Sequence, residues 1–130
     1  MYVSCYAGEN IKMESNMMAD PSDFVIREKK LDYELPLKEN ETIELKRSTS
    51  ELKEAVISIV AMLNKHHEGE LYFGVKDDGT VLGQEPDRKT LRDISRAISE
   101  GIEPAIHPFI YHVDIGGKKC ILVEFAGNNV

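Results

Sequence analysis

From Thr42 to Arg47 polar and apolar residues alternate, with Ile43 and Leu45 on one side and Thr42, Glu44 and Lys46 on the other. A half-buried strand requires this period of two. Directly afterwards the period changes. Leu52, Ala55, Val56, Ile59, Val60 and Leu63 recur at helical spacing as one apolar stripe, and Ser48 stands three residues before Glu51 as a capping box would place it. The helix is expected to end near Lys65, His66 and His67, cations suited to a helix C-terminus. Leu71, Tyr72, Phe73 and Val75 then form an almost unbroken apolar run, the mark of a central strand covered on both faces. Asp77, Asp78 and Gly79 turn the chain, and Thr80 to Leu82 return it as a hairpin.

A second helix follows, capped by Asp87 or Thr90, with Leu91, Ile94, Ala97 and Ile98 on one side and Gly101 at its end. Pro104 and Pro108 forbid helix beyond it. Phe109, Tyr111, Val113 and Ile115 alternate up to Gly116 and Gly117, and Lys118 to Phe125 supplies the partner strand. The order strand, helix, hairpin, helix, hairpin predicts an α+β domain: a mixed, mostly antiparallel sheet with two main helices packed on one face. Residues 1–22 lack sustained periodicity and read as a flexible tail, which leaves residues 23–130 as the domain. Residues 23–38 carry short apolar pairs between charges and give no firm assignment.

Composition narrows the class. The 130 residues suffice for one domain with a real core, and a net charge of −7 with 42% hydrophobic residues describes an acidic globular protein. No apolar run reaches membrane-spanning length and no early apolar block follows a basic start, so a cytoplasmic protein without a secretory signal or a membrane partner is expected. Cys5 and Cys120 have no CxxC spacing and read as free thiols of a reducing compartment. The acidity counts against generic duplex binding, because neutralised phosphates supply most of that affinity. A local basic face would be needed instead, and Lys46, Arg47, Lys53 and Lys65, with Arg88, Lys89, Arg92 and Arg96, could furnish it.

Glu39, Glu41, Glu44 and Asp77 are the candidate carboxylates. Glu44 and Lys46 project from one strand face, half of an arrangement that holds a divalent cation and a charge-stabilising lysine beside a phosphate. Mg²⁺ or Mn²⁺ would suit such oxygen ligands. The plainer reading is a solvated strand face of alternating charges. Gly74 to Thr80 has the glycine spacing of a phosphate-binding loop, but Thr80 and Val81 stand where that loop needs Lys and then Ser or Thr. The hairpin reading prevails there, with no support for an ATPase. His66, His67, His107 and His112 show no zinc spacing.

Taken in order, Glu39-x4-Glu44-Leu-Lys46, a helix ending in Ala61-x2-Asn64, then Gly69-Glu-Leu-Tyr-Phe-Gly74-Val75-x-Asp77-Asp78-Gly79-x3-Gly83 and Ile102-Glu-Pro104 resemble the Alba-like domain of the Schlafen family. The resemblance covers roughly residues 38 to 127. It implies a nucleic-acid-binding domain, for DNA or RNA, at the front of a transcriptional regulator with further domains beyond Val130. It also implies an alternative, an endoribonuclease for structured RNA whose divalent cation is held by three carboxylates. Carried over by position, those carboxylates fall on Glu39, Glu44 and Asp77, with Lys46 as the residue that steadies the phosphate. A single lobe of this kind would complete a groove by pairing with a second copy. An interaction or dimerisation module without a nucleic-acid role is the third expectation. The segment Asn64-Lys-His-His-Glu-Gly69 departs from the family's Asn-Thr-x-Gly-Gly, being one residue longer and one glycine poorer.

Overall fold

The alternating stretch forms a strand, and the striped stretch after it forms a helix, in a computed structural model that describes residues 27–28 and 35–127. In chain order the elements are β1 (Arg27–Glu28), β2 (Ile43–Lys46), a 3-10 turn (Thr49–Glu51), α1 (Leu52–His66), β3 (Glu68–Phe73), α2 (Arg88–Gly101), β4 (Phe109–Ile115) and β5 (Lys118–Ala126). The strands make one five-stranded sheet in the order β1-β4-β5-β3-β2. β2 runs parallel to β3 and β1 parallel to β4, whereas β3–β5 and β4–β5 are antiparallel. The mixed α+β architecture expected from the pattern is the one observed. The tail and the domain boundary expected at residue 22, like Cys5, lie outside the described residues.

Sheet alternation divides the core in two. Leu71, Phe73, Ile110, Ile121, Val123 and Phe125 meet Ala55, Ile59 and Met62 of α1 and Leu91, Ile94 and Ile98 of α2 on one face. Leu45, Tyr72, Val113, Ile115, Cys120 and Leu122 form a second cluster on the other, where Leu37, Val81 and Tyr111 pack. Each buried Leu, Ile or Phe side chain contributes about 1.5–3 kcal/mol. The stripe of α1 is turned slightly from the one the spacing predicts. Met62 joins the core, while Val56, Val60 and Leu63 are only partly buried.

Two local features differ in detail from expectation, and one alternative left open is decided. Ser48 caps the 3-10 turn by accepting from Ser50 N, but the Glu51 carboxylate accepts from Arg47 N (2.9 Å), so the reciprocal box is displaced by one residue. The residues after Gly79 do not return as a strand: Val75 and Val81 make an isolated bridge, and β3 pairs with β2 and β5 instead. The physical reason is that Gly74 turns sharply (φ 107°), with Leu82 N and Gly83 N both donating to its carbonyl. Asp87, of the two caps proposed for the second helix, is the one used, its side chain accepting from Thr90 N at 2.8 Å.

Candidate functional site

Residues 39 to 46 fold back on themselves at the edge of the sheet. The Asn40 side-chain oxygen accepts from Thr42 N (2.8 Å) and Thr42 Oγ1 (3.2 Å), and Asn40 bridges Ile43 through the backbone. That turn lets Glu39 Oε2 reach Leu45 N at 3.1 Å. β2 is the last strand on its side, so a carboxylate here satisfies a backbone donor on a strand that has a neighbour on one side only.

Glu44 and Lys46 stand opposite Leu71 and Phe73 of β3 and share the helix-bearing face with them. Lys46 Nζ lies 3.3 Å from Glu44 Oε2, with the two side chains 15% and 26% exposed. Burial pushes the Glu44 carboxyl above its usual range, the Glu39 charge pushes it further, and Lys46 opposes both. The sequence-predicted Glu39, Glu44 and Lys46 are therefore brought into one cluster. It consists of an exposed carboxylate, Glu39, beside the half-buried Glu44 carboxylate and Lys46 ammonium.

Asp77 sits apart, exposed on the turn after β3. Lys76 N donates to Thr80 O and Gly79 N to Lys76 O, while Asp78 accepts from Thr80 N, the hydrogen bond that lowers its carboxyl pKa. The turn packs against the segment leading to Glu39. A Cβ on Gly79 (φ 92°) would come within 2.6 Å of Pro36 Cβ and 2.7 Å of Leu37 O. Among the described residues no three His, Cys, Asp or Glu side chains converge as a metal centre. The geometry thus places Asp77 near the strap that carries Glu39 but does not join it to the Glu39–Glu44 pair.

The four proposed basic contacts are spread out. Lys46 is neutralised by Glu44, and Arg47 is exposed beside it at the end of β2. Lys53 and Lys65 are exposed on α1, twelve residues apart, which is about 18 Å along the helix axis. One contact is new: His66 Nε2 lies 3.4 Å from Glu41 Oε1, closing the end of α1 onto the turn before β2. Another is Gln84 Oε1 accepting from Thr49 N (3.0 Å), across 35 residues of chain, for which no local pattern gives a signal. Cys120 is buried, and burial raises its thiol to about 11, so it is no nucleophile at neutral pH. Among the described residues no helix is long and apolar enough to cross a membrane.

Comparison with known proteins adds two findings. The family model Schlafen, AlbA_2 matches residues 39–129. The solution NMR structure of the N-terminal domain of a RecG-related protein from Nitrosomonas europaea, named for an ATP-dependent DNA helicase, superposes with a TM-score of 0.53. It is 23% identical, over 72% of this chain and 67% of that one, a likeness of fold. No curated protein matches the chain significantly.

Proposed function

The chain belongs to the Schlafen AlbA_2 family, and from that premise we propose that it is a nucleic-acid-binding domain serving a transcriptional regulator. The family match carries the reading, because residues 39–129 contain Lys46, Arg47, Lys53 and Lys65, the side chains proposed to meet phosphates. The fold-level neighbour points the same way through its name, that of a DNA helicase relative. A second copy of the chain would extend the binding groove.

One observation favours a second reading, a divalent-metal-dependent endoribonuclease acting on structured RNA. Glu39 and Glu44 stand close enough for one to raise the other's pKa, the electrostatic situation that a bound cation relieves. These two carboxylates would suit Mg²⁺ or Mn²⁺, and Asp77, which stands apart on its turn, would have to move in to serve as the third ligand. When bound, such an ion would supply positive charge to the reacting phosphate. Lys46 would steady that phosphate, at the cost of loosening its ion pair with Glu44.

The two readings part at Asp77. Binding predicts salt-sensitive retention of RNA or DNA that survives Asp77→Ala. The ribonuclease reading predicts that Mn²⁺ raises the melting temperature and that tRNA is cut, with both effects lost in Asp77→Ala. A protein that retains nothing at low salt and cuts nothing is an interaction module instead.

A further inference from the structure

The fold assembles a second basic surface that no stretch of sequence contains. Gln84 N donates to Lys119 O at 2.7 Å, and Lys118 Nζ reaches Val81 O at 3.4 Å, so the tip of the β4–β5 hairpin is fastened beside the loop that leads into α2. Four residues further on, at most about 13 Å of chain, α2 begins with Arg88. Arg88, Arg92 and Arg96 recur at every fourth position, about 12 Å from first to last, on the side of α2 away from the buried Leu91, Ile94 and Ile98. Arg92 and Arg96 form no ion pair with any described residue. Of the acids nearby, Asp93 is bonded to Lys89 (2.8 Å) and Asp87 caps Thr90 N, while Glu85, Glu100 and Asp114 remain as the carboxylates that border the band.

We propose that Lys119, on the helix-bearing face of β5, and Arg88, Arg92 and Arg96 form a phosphate-tracking band that holds the backbone of double-stranded nucleic acid. The proposal rests on the nucleic-acid-binding reading above and says where on the molecule the duplex lies. Three observations favour a duplex over a single strand. The band is made of cations at roughly one helical turn's spacing, and residues 83–101 contain no aromatic side chain on which an unpaired base could stack. The stacked aromatic pair, exposed Phe109 and half-buried Tyr111 with ring centroids 6.4 Å apart, is elsewhere. It lies on the sheet face opposite the helices, where Phe109 faces Glu124 in the strand register. The carboxylates of β2 and its preceding turn would repel phosphates and help orient the duplex onto α2.

The experiment measures retention of short blunt duplexes of DNA and of RNA, and of their separate strands, as a function of salt. It compares the wild-type chain with Arg92→Ala/Arg96→Ala and with Arg92→Lys/Arg96→Lys. Expected are duplex binding stronger than single-strand binding and a several-fold loss at low salt in the alanine pair. The alanine pair should also flatten the log affinity against log salt slope by about 2, since each lost phosphate contact removes roughly 0.9. The lysine pair keeps both charges and should recover most of the affinity. Retention of either duplex, DNA or RNA, that weakens in the alanine pair supports the band. Binding that is unchanged in the alanine pair, or that prefers single strands, overturns the band and leaves the nucleic-acid reading intact. A wild-type chain that retains nothing overturns both.

Discussion

Glu44 shows how one strand position carries both structure and chemistry. The alternation that buries Leu45 must present Glu44 and Lys46 on the other face, so their pairing at 3.3 Å was readable from a period of two. Glu39 was different. Its reach to Leu45 N spans six residues and depends on the turn made by Asn40; the residue pattern offered it only as one of four carboxylates, and the family resemblance paired it with Glu44. The resulting pKa shift has a definite sign. Desolvation and the Glu39 charge raise Glu44 above 4.5 in the folded chain, outweighing Lys46, so the ionised form is held at a cost. The stability linked to its protonation is full below the unfolded value and is lost as pH rises through the folded one. Glu44→Gln should therefore melt close to wild type at pH 4 and gain on it steadily towards pH 7. Thermal melts across that range check this, and a gap that narrows with rising pH contradicts it.

At the scale of elements, the helices were legible because a helical stripe and a cap are local signals. Strand pairing was not. That β3 lies between β2 and β5, with parallel register on one side and antiparallel on the other, depends on contacts more than twenty residues apart. The hairpin expected after β3 shrank to a single bridge because β2 and β5 already pair both edges of β3 and the chain turns away at Gly74. The junction from α1 to β3 shows what the altered Asn64–Gly69 segment does. α1 continues through His66, and His67 alone makes the connection in the left-handed region (φ 68°), its N–H donating to Leu63 O. Glycine takes that conformation without the Cβ penalty. His67→Gly is expected to stabilise the fold by up to about 1 kcal/mol, because relief of the strain exceeds the added freedom of the unfolded chain. Chemical denaturation measures it, and a loss of stability would mean that the imidazole makes a contact worth more than the strain.

Over the whole molecule, charge is the quantity that separates the readings. A chain of net charge −7 can hold phosphates only where its acids are paired, displaced or screened by a cation. The Glu39–Glu44 cluster is the place where these possibilities compete, since without a cation its excess carboxylate repels a nucleic acid and with one it attracts it. Glu39→Gln/Glu44→Gln tests this directly. In EDTA and low salt the double variant should bind structured RNA a few-fold more tightly than wild type. That difference should fade as salt shortens the screening length from about 10 Å at 0.1 M towards about 3 Å at 1 M. In Mn²⁺ the order should reverse: the wild-type chain gains both melting temperature and affinity, and the double variant gains neither. If Mn²⁺ moves both proteins equally, the cluster takes no cation and Lys46 is simply the structural partner of Glu44. If the variant gains nothing in EDTA, the carboxylates do not face the bound phosphates, and the nucleic acid lies on another face of the domain.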